Sequence, residues 1–345
     1  MEIKRLIRRN ILALLPYSTA RDEYTGKIGT FLDANESPFE NGYNRYPDPM
    51  QLELKQRLGE IKRVEPKKIF IGNGSDEAID LLFRIFCIPE KDNAITIAPS
   101  YGMYEVAAGI NDVEIRRVLL NSDFSLPVEK LLATADDNSK LLFICSPNNP
   151  TGNAFSREDI LRVVKNFAGI VVVDEAYIDF SNKLGLLREL TSYPNLVILQ
   201  TLSKAWGMAG LRCGLAFASV EIIEYMNKVK YPYNISRSAI VNVMRLLNEP
   251  VNEYIALIKK ERDRLVSEIA DLEFVEKVYP SDANFLLVKV DDADALYDYL
   301  ISHGIIVRNR NRVVLCKDCL RITIGMPNEN KRLIKMLQSY KRNVL

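Results

Sequence analysis

A series of short, continuously apolar segments between about residues 69 and 218 constrains the fold of this chain most strongly. Helical stretches separate these segments, which are rich in β-branched residues. Strands that are apolar on both sides are typical of a parallel sheet covered by helices. The series therefore predicts an α/β fold with a buried, mostly parallel sheet. The predicted strands are residues 69–71, 94–98, 141–145, 170–173 and 196–199.

The pattern changes after about residue 240. A long charged helix is predicted over residues 251–271, followed by an alternating strand over 284–290. Another helix, strands near Ile305 and Leu320, and a terminal helix over 328–340 complete the chain. We expect a smaller α+β domain here. The predicted division is an N-terminal arm (1–38), a large domain (39–238) and a small C-terminal domain (239–345).

Composition excludes several classes of protein. The 345 residues carry 46 basic and 45 acidic side chains, a formal charge of +1, so no basic excess points to nucleic acid. The apolar run 11–15 stops at Pro16 and is too short for a signal peptide or a membrane span, which favours an amphipathic arm lying on the protein. Five cysteines, an odd number, suit a reducing compartment, and we expect a cytoplasmic protein.

The cysteine and histidine residues give little indication of a redox, metal-binding or triad function. Cys316 and Cys319 have redox-like spacing, but they lack a second pair for zinc and precede a strand, so a functional dithiol is not favoured. His303 is the single histidine, which argues against a histidine-rich metal site or a Ser-His-Asp triad. No metal is expected, and proton transfer falls to another group, most naturally a lysine.

Four polar clusters follow predicted strands, at the point where each strand ends. Ligands of open α/β sheets bind beyond the carboxyl ends of the strands, so we expect these clusters to converge. They are residues 72–77, 146–152, 174–177 and 201–204.

Lys204 is the candidate nucleophile. Partial burial beside other cations lowers the pKa of a lysine and permits Schiff-base chemistry. Ser203 and Arg212 are suited to hold a phosphate near that amine, and the turn at 72–77 opens a helix whose amides favour an anion. A lysine beside a phosphate cradle indicates pyridoxal phosphate. Taken alone, Lys204 also fits a solvated loop lysine, and the turn also fits a simple helix cap.

Asp174 ends an apolar strand, where an unpaired carboxylate would be costly. A pyridinium nitrogen is one possible partner, and a structural ion pair is the other. Tyr177 and Asn149 are placed to hydrogen-bond the phenolic oxygen of a pyridoxal ring, and Tyr101 to stack on its face. Each tyrosine by itself also fits an ordinary buried aromatic residue.

Two arginines in the C-terminal part are candidates for binding an anion. Arg321 lies within an apolar strand, where an unpaired guanidinium is expensive, so a carboxylate or phosphate is expected nearby. Arg308 follows the apolar run 305–307 and points either into the same cleft or to the surface.

Together these segments resemble the fold-type I pyridoxal-phosphate enzymes of the class II aminotransferase family, along nearly the whole chain. Segments of the N-terminal part carry the resemblance most specifically. They are residues 15–17, 20–21, 32–38 and 44–49.

The resemblance implies a role for each cofactor-binding residue. Lys204 would carry pyridoxal 5′-phosphate covalently and shuttle the proton, with Asp174 on the ring nitrogen. The ring would contact Asn149, Tyr177 and Tyr101. The phosphate would be held by the backbone amides of Ser75 and Asp76, by Ser203 and Arg212, and by Tyr46 of a second subunit. The last contact implies a homodimer with shared active sites.

The resemblance also implies the substrates. Arg321 would bind the α-carboxylate of glutamate, and in the other half-reaction it would hold a phosphate together with Arg308 and Tyr17, with Asn149 also contacting substrate. The implied reaction is transamination between glutamate and a phosphorylated imidazole ketone. Aromatic amino-acid transamination and decarboxylation of threonine phosphate remain alternatives on the same fold, and a non-catalytic module that senses pyridoxal phosphate is a more distant one.

Overall fold

The computed structural model describes residues 2–17 and 29–340. Near the N-terminus, a 3-10 turn (Ile3–Leu6) and the short helix α1 (Arg9–Ala13) lie on the large domain. Ile3, Ile7 and Ile11, spaced four apart, are buried in its core. The first part of the predicted arm therefore packs on the protein. Residues 20–21 of the predicted arm lie outside the described residues.

A seven-stranded sheet forms the centre of the large domain, in the order β1-β7-β6-β5-β4-β2-β3. All neighbours are parallel except β7, which runs antiparallel between β1 and β6. The five predicted strands and the mostly parallel sheet are confirmed, whereas β3 and β7 were not predicted. The strands are β1 (Ile69–Asn73), β2 (Asn93–Ala98), β3 (Glu114–Leu119), β4 (Ser139–Cys145), β5 (Ile170–Asp174), β6 (Leu196–Thr201) and β7 (Cys213–Phe217).

Both faces of this sheet are covered, which explains the continuous apolar runs. Along β5, Ile170 and Val172 pack in one hydrophobic core, and Val171 and Val173 pack in the other. The covering helices are α2 (Leu52–Lys62), α3 (Ser75–Phe86), α4 (Met103–Ile110), α5 (Val128–Thr134), α6 (Arg157–Asn166), α7 (Val220–Val229) and α8 (Arg237–Leu246).

The C-terminal part has its own four-stranded antiparallel sheet, in the order β10-β11-β9-β8, and its own core. The α+β character predicted for it is confirmed, and the strand predicted near Ile305 is reduced to the two-residue β10. The exact boundaries at residues 38 and 238 stay predictions. Its elements are α9 (Val251–Ala270), β8 (Val275–Val278), β9 (Phe285–Val290), α10 (Ala293–Ser302), β10 (Arg308–Asn309), β11 (Cys319–Thr323) and α11 (Pro327–Ser339).

Asp282, in the small domain, forms hydrogen bonds with the loops at the carboxyl ends of the large sheet. Its backbone amide donates to Gly152 O at 2.8 Å, and its carboxylate accepts from Ala154 N and from Ser181 Oγ, each at 3.0 Å. These bonds bring β9 and β11 beside the ends of β4 and β5.

Among the described residues, none of the helices has the length and apolar character needed to cross a membrane.

Candidate active site

The four polar clusters converge at one edge of the large sheet, as the sequence predicts. They line a single cavity, to which the segment after β2 and the residue before β7 also contribute. Because β7 runs antiparallel to β1 and β6, its first residues lie at the same edge as their last ones. The lining residues are Gly74, Ser75, Asp76, Tyr101, Cys145, Asn149, Asp174, Ala176, Tyr177, Thr201, Ser203, Lys204, Ala209 and Arg212.

An anion seat lies at the N-terminus of α3, which begins at Ser75. The first amides of a helix have no acceptor within it and favour an anion. Two glycines let the neighbouring chain come close to this turn. A Cβ on Gly214 would lie 2.0 Å from Ser75 N, and one on Gly74, whose φ is +78°, would lie 2.6 Å from Nη2 of Arg212. The approach of β7 thus brings Arg212 beside the amides of α3.

The side chains around this seat are held by one another. Asp76 Oδ2 lies 3.7 Å from Arg212 Nη2, and Asp76 Oδ1 accepts a hydrogen bond from the Tyr101 hydroxyl at 3.1 Å. Thr201 Oγ1 donates to Ser203 Oγ at 3.0 Å and accepts from Ser203 N at 3.1 Å. Hydroxyl, guanidinium and amide donors therefore surround the position that a phosphate would take.

Asp174 lies at the floor of the cavity with only 2 % of its surface exposed. Its Oδ2 accepts from the Tyr104 hydroxyl at 2.7 Å, and its Oδ1 accepts from Ala176 N at 3.0 Å. Desolvation raises the pKa of this carboxyl, and the two donors oppose that rise. A buried carboxylate with a free face toward the cavity is suited to a cationic ring nitrogen.

Tyr104 is the residue of this site that sequence reasoning missed. It is fully buried, its ring stacks on Phe143 with centroids 4.7 Å apart, and it meets Tyr101 edge-on at 5.6 Å. Tyr101 precedes the helix α4 that carries Tyr104, so helical spacing gave no signal that the two side chains meet.

Lys204 faces Asp174 and Tyr177 across the cavity. Its Nζ lies 5.7 Å from the centre of the Tyr177 ring. The side chain reaches solvent through the open cavity, yet the surrounding protein lowers the pKa of Lys204 by desolvation, and the positive charge of Arg321 lowers it further, while Asp174 acts in the opposite direction. The direction of this shift is the one that the sequence predicts, and it favours the neutral amine more than in a free lysine.

Asn149 joins the cofactor cavity to the small domain. Its Oδ1 accepts a hydrogen bond from Nη1 of Arg321, which leaves the Nδ2 donors of Asn149 available to an oxygen in the cavity. The preceding residue, Asn148, is fully buried and fixes the loop by donating to Pro99 O at 2.9 Å and to Thr151 Oγ1 at 2.8 Å. The predicted hydrogen bond from Asn149 to a ring oxygen therefore agrees with the structure, in which the Nδ2 group of Asn149 remains available as a donor.

Four predicted residues do not line the cavity. Arg321 lies beside it, joined to the lining residue Asn149 by a hydrogen bond. Arg308 is exposed on β10, directly opposite Arg321 in the strand register. Tyr17 is 76 % exposed at the end of the described N-terminal segment. Tyr46 is half exposed, and its ring stacks on Tyr233 at 4.4 Å.

The site fits pyridoxal phosphate in the chemistry of its donors and acceptors. The amine of Lys204, the buried carboxylate of Asp174, the hydroxyl of Tyr177 and the anion seat at α3 surround one cavity. These groups match an aldehyde carbon, a ring nitrogen, a phenolic oxygen and a phosphate.

An α/β fold with this lysine site is typical of pyridoxal-phosphate enzymes, and comparison with known proteins specifies the family. The family model described as "Aminotransferase class I and II" matches residues 33–337, and the chain belongs to this family. Over 342 residues the chain is 53 % identical to the histidinol-phosphate aminotransferase of Parabacteroides distasonis, with 99 % of each chain covered.

Solved structures show the same fold. The histidinol-phosphate aminotransferase from Clostridium acetobutylicum superposes with a TM-score of 0.79 at 25 % identity, covering 86 % of this chain and 90 % of that one. That of Sinorhizobium meliloti, in complex with pyridoxal-5′-phosphate, gives a TM-score of 0.78 at 23 % identity, covering 96 % and 98 %.

Proposed function

We propose that this chain is a pyridoxal-phosphate-dependent transaminase that moves an amino group from L-glutamate to imidazole-acetol phosphate, giving histidinol phosphate and 2-oxoglutarate in histidine biosynthesis. The placement of Lys204 opposite Asp174, beside the anion seat at α3, carries the chemistry. The full-length similarity to a histidinol-phosphate aminotransferase supports the substrate.

In this proposal, different residues of the cavity bind the ring and the phosphate of the cofactor. When bound, pyridoxal phosphate supplies an electron-withdrawing ring that stabilises negative charge at the substrate's α-carbon. Asp174 would keep the ring nitrogen protonated, and Tyr177 and Asn149 would bind the ring oxygen. Tyr101 would cover the ring. Ser203, Arg212 and the backbone amides of Ser75 and Asp76 would hold the phosphate of the cofactor.

Lys204 would hold the cofactor and would also move a proton. Its amine would accept the proton from the substrate's α-carbon. Desolvation and the charge of Arg321 favour the neutral, proton-accepting form of this amine. The same group therefore serves as attachment point and as general base.

In this proposal, the substrate binds on the side of the cavity that faces the small domain. Arg321 is anchored to Asn149 and lies over the Phe285 ring, 5.2 Å from its centre. From there its guanidinium binds the carboxylate of glutamate, or the phosphate of the second substrate with the help of Arg308 and Tyr17. The exposed positions of the last two leave them room to close on a ligand.

A homodimer completes the site in this proposal. Tyr46 is half exposed and does not line the cavity of its own chain, and a second copy would cover exposed apolar side chains. We propose that Tyr46 reaches the partner's phosphate and that the enzyme is cytoplasmic, in line with its five free, buried cysteines. The exposed apolar residues include Leu32, Phe39, Tyr43 and Tyr231.

Coupled consumption of the two substrates tests the proposal. Purified protein reconstituted with pyridoxal phosphate is incubated with histidinol phosphate and 2-oxoglutarate, and glutamate is measured. We expect glutamate to form in an amount equal to the amine consumed. Release of carbon dioxide from threonine phosphate without glutamate formation would support the decarboxylase alternative, and binding of cofactor with no turnover would support the non-catalytic one.

A further inference from the structure

Arg310 lies on the same face of the small sheet as the two arginines assigned to substrate. The backbone amide of Arg310 donates to Cys319 O at 2.9 Å, continuing the antiparallel register in which Arg308 pairs with Arg321. Residues two apart on a strand point to the same side, and directly paired residues share that side. Three guanidinium groups are thus gathered where like charges destabilise one another.

Arg310 lines a cavity of the small domain together with Arg308 and Arg312, beside the strand that carries Arg321. Its positive charge also acts on the hydroxyl of Tyr177, which lines the cofactor cavity, and repels that of Arg321. Burial, followed by the charges of Arg321 and Arg308, lowers the pKa of Arg310 to about 10. A guanidinium held under such repulsion is stabilised by a bound anion.

Within the described part of the chain, no carboxylate compensates Arg310. Its Nε is buried and has no hydrogen-bond partner. The nearby carboxylate of Asp294 accepts instead from the side-chain amides of Asn309 and Asn311, at 2.6 and 2.9 Å, and its charge acts on Arg312. An unpaired cationic donor away from bulk water is costly, which is the condition expected where a ligand supplies the partner.

The two substrates of the proposed reaction differ in the charge that this region must bind. The carboxylate of glutamate carries one negative charge, which Arg321 alone can pair in bidentate fashion. A phosphate monoester carries about −1.5 to −2 at neutral pH and has three acceptor oxygens. The second substrate therefore needs more cationic donors than the first.

We propose that Arg310 is a specificity residue that binds the phosphate of the phosphorylated substrate and makes little contribution to binding glutamate. This inference rests on the proposed function and names a residue that the resemblance did not assign. Arg310 thereby explains how one site accepts a monoanionic and a nearly dianionic group in turn.

Single-turnover kinetics of the pyridoxal-phosphate-loaded enzyme test this inference, with Arg310→Gln compared against wild type. Rates are measured over a range of histidinol phosphate and, separately, of glutamate, so that the dissociation constant and limiting rate are resolved for each. We expect the constant for histidinol phosphate to rise about tenfold or more, as for loss of a charge-assisted hydrogen bond. The constant for glutamate and both limiting rates should stay near wild type.

Two further variants complete the design. Arg310→Lys should recover part of the lost affinity because it restores the charge without the planar fork. Arg312→Gln removes an exposed arginine of the same loop and should change neither constant. An equal loss for both substrates in Arg310→Gln, or no change for either, would overturn the inference.

Inorganic phosphate separates this inference from the proposed function. It is added as a competitor of the glutamate half-reaction, in wild type and in Arg310→Gln. A weaker inhibition in the variant supports the role of Arg310 even if wild type fails to convert histidinol phosphate, a failure that counts against the proposed function alone. Equal inhibition of both proteins contradicts the role of Arg310.

Discussion

The Tyr104 hydroxyl donates a 2.7 Å hydrogen bond to the carboxylate of Asp174, and both side chains are buried. The bond uses one face of the carboxylate and leaves the cavity side open. It also opposes the desolvation that raises the pKa of Asp174, and so favours the ionised form that a pyridinium nitrogen requires.

Tyr104→Phe should therefore weaken cofactor binding. Loss of a hydrogen bond to a buried charged group costs about 1.5–3 kcal/mol, so we expect the dissociation constant of pyridoxal phosphate to rise about tenfold or more. Quenching of the single tryptophan, Trp206, two residues after Lys204, measures that constant. Tyr299→Phe, which removes a hydroxyl bonded to Met336 O in the small domain, is the matched control. Equal affinity in Tyr104→Phe and wild type would contradict the role given to this bond.

Removing the amine of Lys204 should abolish transamination while the cavity still binds cofactor. In Lys204→Ala we expect pyridoxal phosphate to bind without the absorbance of its covalent link to the protein, because Asp174 and the anion seat remain. Absorbance spectra and glutamate formation check both parts. Near-normal turnover in this variant would rule out Lys204 as attachment point and base.

Gly214→Ala should distort the anion seat. The added Cβ would lie 2.0 Å from Ser75 N, so β7 or the start of α3 must shift. We expect weaker binding of pyridoxal phosphate and a lower thermal midpoint. Gly109→Ala is the control, because a Cβ there meets nothing within 4 Å and a helical alanine is favoured by roughly 0.5–1 kcal/mol. A Gly214→Ala protein with unchanged cofactor affinity would show that the close approach is not needed.

Glu175, beside Asp174, should make folding stability depend on pH. It is buried and accepts hydrogen bonds from Leu186 N at 2.7 Å and Gln200 Nε2 at 3.0 Å, yet desolvation raises its pKa from 4.5 to about 7. The folded chain therefore holds a proton that the unfolded chain releases between these values. Its stabilising contribution is complete below pH 4.5 and is lost as pH rises through about 7.

Glu175→Gln should remove that dependence. A neutral amide can accept from Leu186 N and, if the Gln200 amide turns over, donate to the unpartnered Oε1 of Gln200. We expect the variant to be more stable than wild type at pH 8, by on the order of 3 kcal/mol, and not at pH 4.5. Urea unfolding at both pH values measures the difference. The same difference at both would show that Glu175 does not titrate in this range.

The hydrophobic pattern of the sequence predicts the buried strands of the sheet, but neither its edge strand nor the direction of its strands. The buried strands were found because both of their faces are apolar, as in β5. Strand β3 was missed because it lies at the sheet edge, where Arg117 pairs with Glu105 in solvent. Strand β7 was not predicted either, and its direction could not have been, since an apolar run reads the same in either orientation.

The candidate site shows the same limit. Clusters at strand ends are placed by topology alone, so their convergence was predictable. The bond between Tyr104 and Asp174 depends on how α4 packs over the sheet, and the position of Arg310 depends on the register of β10. Neither follows from spacing along the chain.

One rapid-mixing experiment tests the central claim most directly. The pyridoxal form of the enzyme is mixed separately with histidinol phosphate, phenylalanine, threonine phosphate and glutamate, and loss of the absorbance of the cofactor bound to Lys204 is followed. We predict fast loss with histidinol phosphate and glutamate, and slow or no loss with the other two. Rapid reaction with threonine phosphate or phenylalanine, and none with histidinol phosphate, would contradict it.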